Sequence, residues 1–567
     1  MGPTQRDRDP KPDNPPKPRR HNLPPSNMST GPKVQLTLDS RVRIENINEL
    51  ARSEELLADL KDAFTHANPV HAKSLNMGFK PTEPPVIDTY RLELPRWQSG
   101  EHFDTSMSVP RGGLQRVRGV LQKHGLRWRV DDRRSSGLPD LMHGQLKSCL
   151  VMREHQEAMI AAAKRTQNCL LRSPGASGKT TAVLEFIARE HLPAIIVLWN
   201  SQLLKQWATR IQHELGFDPG LVQGQRWHLK QITLAMQQTL WRLGDAEWEA
   251  LTRSFGIFVM DEVQRASART FVDVVDRFPA KYRIGMSGDE RRRDGKHFLT
   301  HDLFGEVAQT IDRDLMTKSG ITMDVSVYVI PTEFEAPWYV RAAQRVQKYP
   351  RPDFNKLLNQ MTLDERRNAT LHHVIEHAQR EGPTIVFSHR VEHCRRISKV
   401  LYACNWQNGL MLGGPENSDE SAHTARRLAA GTARIGVGTY QAVGTGIDIP
   451  AVSRLVFSTP VHTNQQQWDQ YKWRAARTAP GKEDARVYVL WDRKVFGRKP
   501  LVNILRWSKD VKVRLSNGRW ADGKEYLKKS KTRKDDNEKE SGSIDLEQID
   551  QVTRDLEGIF KRFEGSS

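Results

Sequence analysis

The sequence predicts an α/β protein. Two tandem parallel-sheet domains follow a small α+β domain, flanked by a basic N-terminal arm and a charged C-terminal tail that ends in an amphipathic helix. Three observations predict this. A loop of small residues, Ser173-Pro174-Gly175-Ala176-Ser177-Gly178-Lys179-Thr180, stands between an apolar segment (Cys169, Leu170, Leu171) and a helical pattern from Thr181 to Glu190. About 80 residues further on, well within one domain, the apolar run Gly256 to Met260 ends in Asp261-Glu262. Beyond residue 320, short apolar runs at Thr384–Phe387, Ile435–Val437, Leu455–Phe457 and Val487–Leu490 again alternate with helical stretches, the pattern of a parallel sheet.

A chain of 567 residues is too long for a single core. Lys and Arg number 87 against 68 Asp and Glu, a net charge of +19. Such an excess favours a polyanionic partner, nucleic acid before an anionic membrane. No apolar run approaches the roughly 18 residues that span a bilayer, so no membrane is expected. The N-terminus carries no apolar signal core, and Arg6 breaks the lipidation pattern that Met1-Gly2 opens. The four cysteines (Cys149, Cys169, Cys394, Cys404) are scattered, which argues for a reducing intracellular compartment and against a zinc site or disulfide framework.

Residues 1–32, rich in Pro, Lys, Arg, Asp and Asn, are expected to be a disordered basic arm. Lys17-Pro18-Arg19-Arg20 reads as an import signal or as plain solvated tail. Residues 33–145 form the small α+β domain: Val34, Leu36, Leu38 and Val42, Ile44 alternate like strands, and Glu54 to Phe64 and Leu114 to His124 have helical spacing. A further strand is expected at Leu126 to Val130. Its basic cluster (Arg111, Arg116, Arg118, Lys123, Arg127, Arg129, Arg133, Arg134) fits a phosphate-backbone track or a solvated surface equally well. Residues 146–318 hold the loop and the acidic pair, with another strand at Ile195 to Leu198, and residues 319–492 make the second α/β domain. Residues 493–567 read as a charged tail. In it Leu546, Ile549, Val552, Leu556, Ile559 and Phe563 give a helix over 544–563 with a narrow apolar stripe, for docking on the chain itself or on a protein partner.

The chemistry follows from residue types in context. After a strand and before a helix, small residues let backbone N–H groups wrap a phosphate chain, and the helix N-terminus adds its dipole. Lys179 is placed to reach the β/γ-phosphates and the Thr180 hydroxyl to sit on Mg2+. Asp261, outside the carboxyl end of a strand, is the partner for the metal, and Glu262 the residue to polarise an attacking water.

The ordered set of motifs resembles the superfamily 2 helicases and translocases. Ser173 to Thr180 matches motif I. Leu198-Trp199-Asn200-Ser201-Gln202 through Trp207 is similar to motif Ia, Ile232 through Leu240 to motif Ib, and Asp261-Glu262-Val263-Gln264 is a DEVQ form of motif II. Tyr282 through Gly288 with Arg292-Arg293-Asp294-Gly295 resembles motif III. Thr384 through Arg390 resembles motif IV, Val437-Gly438-Thr439-Tyr440 through Pro450 motif V, and Gln470-Tyr471-Lys472-Trp473-Arg474-Ala475-Ala476-Arg477 motif VI. The resemblance covers roughly residues 146 to 492. Its Arg-Arg-Asp-Gly and DEVQ signatures point to the XPB-like branch, which includes phage UvsW-like DNA helicases.

The resemblance implies two RecA-like motor domains with ATP and Mg2+ between them. Nucleotide contacts would come from Arg153, Gln156 (reading the adenine edge), Ser173, Gly175, Ser177, Gly178, Lys179, Thr180, Thr181, Gly446, Asp448 and Gln470. Catalysis would rest on Lys179, Asp261, Glu262, Arg474 and Arg477, with Thr180 and Asp261 on the metal. Gln470, Arg474 and Arg477 fall at i, i+4 and i+7, on one helix face, so the two arginines could act as fingers on a γ-phosphate. Asn200, Ser201, Gln202, Gln238, Thr439 and Gln441 would hold nucleic acid. The sequence departs from the pattern at Ser287-Gly288-Asp289 in motif III and at Trp473 in motif VI, which touches coupling to movement rather than triphosphate chemistry. The implied activity is that of an ATP-dependent DNA helicase or translocase, moving 3′ to 5′ on single-stranded, forked or branched DNA. The alternatives are an RNA helicase, a non-catalytic DNA-binding scaffold, or the motor subunit of a repair or defence complex. The expected location is the cytoplasm of a bacterial cell, nucleoid-associated or phage-encoded, with the nucleus as the alternative.

Overall fold

The computed structural model describes residues 33–532 apart from 48–52, 77, 94–96, 99–100, 103–105, 143, 145, 147, 174–176, 266–267, 289–291, 293, 312, 338–353, 445–448 and 462–464. The basic arm (1–32) and the amphipathic pattern at 544–563 lie outside the described residues.

The first large sheet has eight strands. Their order is Arg226–His228, Gly220–Gln223, Ile232–Met236, Ala194–Leu198, Ile257–Met260, Tyr282–Ser287, Asn168–Arg172 and Val307–Thr310. Pairing is parallel throughout except at the outermost strand, Arg226–His228. The central strands read AIIVL and IFVM and are buried at every position, because helices cover both faces. On one face the helices Lys179–Glu190 and Ser201–Leu215 press Leu184, Ile187, Trp207 and Ile211 against Ile196 and Ile284. On the other, Trp248, Phe271, Phe278 and Phe304 pack over Phe258.

The second sheet repeats the plan in the order Asn408–Met411, Ile435–Thr439, Thr384–Ser388, Arg454–Phe457, Ala485–Trp491, Val325–Pro331, Val511–Arg514 and Trp520–Asp522. Its last two strands correct the sequence reading, which places residues from 493 onward in a charged tail. Val511–Arg514 joins the sheet in parallel beside Val325–Pro331, and Trp520–Asp522 closes it antiparallel. Helices Lys499–Trp507 and Gly523–Thr532 accompany them. The reason is four apolar residues, Leu501, Ile504, Val511 and Val513, buried in the core of this domain beneath a surface dense in Lys and Arg.

The small N-terminal sheet runs Arg91–Glu93, Ser106–Pro110, Arg41–Ile44, Lys33–Leu38 and Arg127–Asp132. Helices Ser53–Ala63 and Leu114–Lys123 bury Leu56, Leu60, Val117 and Leu121 against it. It is docked on the first motor sheet through charge. Arg41 pairs with Asp276, both buried. Asp302, also buried, accepts from Arg116, His66 (3.0 Å) and Thr89 (2.6 Å). Arg111 donates to the Ala280 carbonyl (2.6 Å) and to Asn168 (3.0 Å), and Arg283 donates back to the Ser40 carbonyl (2.8 Å).

The basic cluster read from the sequence is thereby divided. Arg111, Arg116 and Arg134 hold the junction, the last through the Lys281 carbonyl (3.1 Å). Lys123 and Arg133 pair with Asp59 and Asp131 within the small domain. Arg41 donates from all three of its guanidinium nitrogens, as a guanidinium must to be satisfied where water is excluded.

Candidate functional site

The phosphate loop leaves the strand Asn168–Arg172 and enters the helix Lys179–Glu190. Ser173 N–H bonds the Ser287 carbonyl at 3.0 Å, anchoring the loop to the neighbouring strand. Gly178 has φ +77°, and a Cβ there would lie 2.2 Å from the Gln156 amide nitrogen, so the position requires glycine. The Lys179 ammonium donates to the Ser173 carbonyl. The buried hydroxyls of Ser173 and Ser177 have no hydrogen-bond partner among the described residues. Orphaned buried donors at a helix N-terminus fit the oxygens of a triphosphate. Thr180 and Thr181 open the helix beside them, and Thr181 is gripped by Arg210. Gly175 lies outside the described residues.

Gln156 is buried in the start of the helix Glu154–Thr166. Its amide oxygen accepts from Arg153 N–H (2.9 Å) and its nitrogen donates to the Gly178 carbonyl (3.3 Å). The resemblance implies that Gln156 reads an adenine edge; in this structure both ends of its amide bond backbone, which braces the loop. Neighbouring His155 does likewise through the Ser177 carbonyl (2.9 Å). The Arg153 side chain is exposed.

Asp261 and Glu262 follow the strand Ile257–Met260, separated from the phosphate-loop strand by Tyr282–Ser287. Asp261 accepts from the Trp207 indole at 3.0 Å and from Glu262 N–H at 2.9 Å. Burial and the adjacent Glu262 push the Asp261 carboxyl up to about 6, opposed by the Trp207 hydrogen bond and the charge of Lys179. Burial lowers the pKa of Lys179, against the pull of Glu262 and Asp261. Two acids and one lysine in a desolvated site are what a divalent cation would rebalance. Glu262 has φ +53°, a left-handed conformation costing a non-glycine residue about 1 kcal/mol or more. Gln264 clasps its carboxylate and accepts in turn from Ser287 (2.7 Å), joining the acidic box to the next strand.

From the second domain comes the helix Gln465–Ala476. Here the structure corrects the helix-face argument, since Arg477 lies one residue beyond the helix. It is set by a strand-like bridge to Thr322, reinforced by Met323 N–H to the Ala476 carbonyl at 2.7 Å. The charge of Arg477 is felt at Lys179, whose pKa burial lowers most and this charge lowers further. Gln470 and Arg474 are partly buried on the helix. The helix is held from behind by Trp468 to Ser508 (3.1 Å) and Lys472 to the Trp507 carbonyl (3.1 Å). Gly446 and Asp448 lie outside the described residues.

The residues expected to hold nucleic acid stand at strand ends. Asn200 caps the helix Ser201–Leu215 by accepting from Leu203 N–H at 2.7 Å, and Thr439 accepts from Ala442 N–H at 3.3 Å. N-capping explains why these residue types sit there. Gln238 is exposed and donates to the Trp199 carbonyl at 2.7 Å, joining the two neighbouring strand ends. Ser201 and Gln441 are exposed and Gln202 partly so. Sequence reasoning missed Trp207, Arg210 and Gln264 as members of the site. The signal was there for the first two: Trp207 and Arg210 fall two and three turns along a helix that starts at the strand end next to the acidic box.

A pair of mostly parallel sheets, the first with a phosphate loop and a metal-suited acid pair at its strand ends, fits a nucleotide-driven motor. No protein-family profile matches the chain. It is 22% identical over 383 residues to the probable helicase D10 of Escherichia phage T5, covering 64% of this chain and 76% of that one. It is 27% identical over 162 residues to the DNA 3′-5′ translocase XPB2 of Sulfurisphaera tokodaii, covering 29% of this chain and 36% of that protein. The structure of UvsW of phage T4 aligns at a TM-score of 0.36 with 14% identity, covering 85% of this chain and 99% of that one. These similarities are to superfamily 2 helicases and translocases, the XPB-like branch among them, and they indicate an ATP-hydrolysing helicase.

Proposed function

We propose that this helicase acts on DNA, moves 3′ to 5′ and works at forked, branched or duplex-junction substrates. The observation that carries the motor reading is the phosphate loop, with Lys179 and the partnerless buried hydroxyls of Ser173 and Ser177, on the strand next but one to the buried Asp261. The basic surface of the chain, +19 overall, supports a polyanionic track. The direction and the choice of DNA draw on the likeness to a protein named as a DNA 3′-5′ translocase, and the bacterial-cell location on the phage relative. Among the described residues no helix is long and apolar enough to cross a membrane.

In this reading the loop amides with Ser173, Ser177 and Lys179 cradle the β- and γ-phosphates. Thr180 and Asp261 would hold Mg2+, which when bound neutralises charge developing on the phosphates. Glu262, held by Gln264, orients the attacking water. Arg477 and Arg474 approach the γ-phosphate when the two sheets close. Gln156 and Arg153 sense the base side through the loop that Gln156 braces. The strand-end residues Asn200, Ser201, Gln202 and Gln238 on one domain, and Thr439 and Gln441 on the other, grip the backbone in turn. Each cycle of closing and opening then advances the strand. Residues 33–145 travel with the first motor domain and serve DNA recognition.

The test is ATP hydrolysis by wild type and Lys179→Ala without nucleic acid and with single-stranded DNA, forked DNA or RNA. Stimulation by DNA, greatest on forks and lost in the variant, is the expected result. Stimulation by RNA alone would move the substrate to RNA, and tight binding without turnover would leave a scaffold.

A further inference from the structure

The strand Gly220–Gln223 runs parallel to Ile232–Met236, so the turn after it emerges at the sheet edge that carries Asn200 and Gln238. The turn is anchored there: Gly224, at φ +59°, donates its N–H to the Thr239 hydroxyl at 3.0 Å, one residue from Gln238. Arg226–His228 then folds back as the outermost strand, and all three of its side chains, Arg-Trp-His, are exposed. Among the described residues three tryptophans are more than a third exposed, and two of them, Trp227 (43%) and Trp241 (45%), belong to this hairpin and to the end of the adjoining helix Gln237–Leu240.

Charge alone would protect an edge strand from pairing, and Arg226 supplies it. An exposed indole beside it works against protection and adds a flat π-surface. The neighbouring acids are engaged, Asp218 by Lys230 (2.7 Å) and Asp273 by the Trp241 indole (3.3 Å), so Arg226 and Arg242 set the sign of the patch. A basic surface with a free aromatic face, continuing a phosphate-binding edge by strand steps of roughly 5 Å, matches the chemistry of single-stranded nucleic acid.

We propose that the hairpin spanning Gly220 to His228 is a further contact for single-stranded DNA, in which Trp227 stacks on a base and Arg226 meets a phosphate. The inference rests on the reading of the chain as a DNA motor. In the full-length protein, binding of a labelled oligothymidylate is measured by anisotropy at several salt concentrations, alongside ATPase activity with and without DNA. Trp227→Ala should weaken binding roughly fivefold or more and raise the DNA concentration for half-maximal stimulation. Trp227→Phe should restore most of the loss, and DNA-independent hydrolysis should stay at the wild-type level in both. Arg226→Ala should lower the slope of log affinity against log salt by about one. Wild-type affinity in Trp227→Ala, or equal weakening in the Ala and Phe variants, overturns the hairpin contact while leaving the motor intact. A wild-type protein that binds no oligonucleotide and shows no stimulation overturns the motor reading itself.

Discussion

The indole Nε1 of Trp207 donates a 3.0 Å hydrogen bond to Oδ2 of Asp261, with both groups buried. Trp207 sits two turns into the helix that starts at the Asn200 cap. One rigid element therefore has its N-terminus at the edge expected to hold the strand and its middle on the carboxylate expected to hold the metal. The same helix reaches the phosphate-loop helix a turn later, through Arg210 and Glu214 to Thr181.

Removing that hydrogen bond should loosen the metal site. A buried bond to a charged group is worth about 1.5–3 kcal/mol. Trp207→Phe, which keeps the packing, should therefore raise the Mg2+ concentration needed for half-maximal ATPase by about ten- to a hundredfold. A Mg2+ titration at saturating ATP reads this directly; an unchanged midpoint would confine Trp207 to the core.

Arg477 should act on turnover rather than on binding, because it approaches the site from the second domain. Arg477→Ala should lower kcat by about a thousandfold, the range for an arginine finger. The affinity for a fluorescent ATP analogue should move severalfold at most. Comparable losses in both would make it a ground-state contact.

Asp261 makes stability and activity oppose each other. Its carboxyl is raised to about 6 from an ordinary 3.8, so between these values the folded protein binds more protons than the unfolded chain. Stability from this group is full below pH 3.8 and is lost as the pH rises through 6. Asp261→Asn removes the charge. In the absence of nucleotide it should raise Tm at pH 7.5, and by less at pH 5, while abolishing ATPase. Equal Tm gains at both pH values would contradict this account.

The junction between the small domain and the first motor domain depends on a buried pair, Arg41 with Asp276. Among the described residues, Arg41→Leu leaves Asp276 with the exposed Arg91, at 3.6 Å, as its ion-pair partner. Stranding a buried charge should cost about 3 kcal/mol or more, and Arg41→Leu with Asp276→Leu should recover most of it. Denaturant unfolding of the wild type, the single and the double variant provides the comparison.

Truncation after Asp492 should unfold the second motor domain rather than trim a tail. It removes the strand Val511–Arg514 and the buried Leu501 and Ile504. It also removes Ser508, the partner of Trp468 behind the arginine-bearing helix. Soluble yield, Tm and ATPase should all collapse together.

Much of the fold and some of the site are legible in the sequence. The runs AIIVL, IFVM and TIVFS are apolar at almost every position because parallel strands are covered on both faces, and a local pattern of that kind needs no tertiary information. The phosphate loop and the acidic box are equally local, since each is a strand end followed by a short segment of set chemistry. These determine a two-domain, nucleotide-driven motor. The tertiary structure decided what depends on distant neighbours. Gln156 turns to the Gly178 carbonyl, Arg111 and Arg116 are drawn into a domain junction, and residues 493–532 extend a sheet despite their charge. Arg477 falls just beyond its helix, where the chain at Thr322 bridges to it. Composition and periodicity record which side chains can be buried or charged. Which partner satisfies each of them is set only when segments far apart in the chain are packed together, since a hydrogen bond or ion pair is specified by two positions at once.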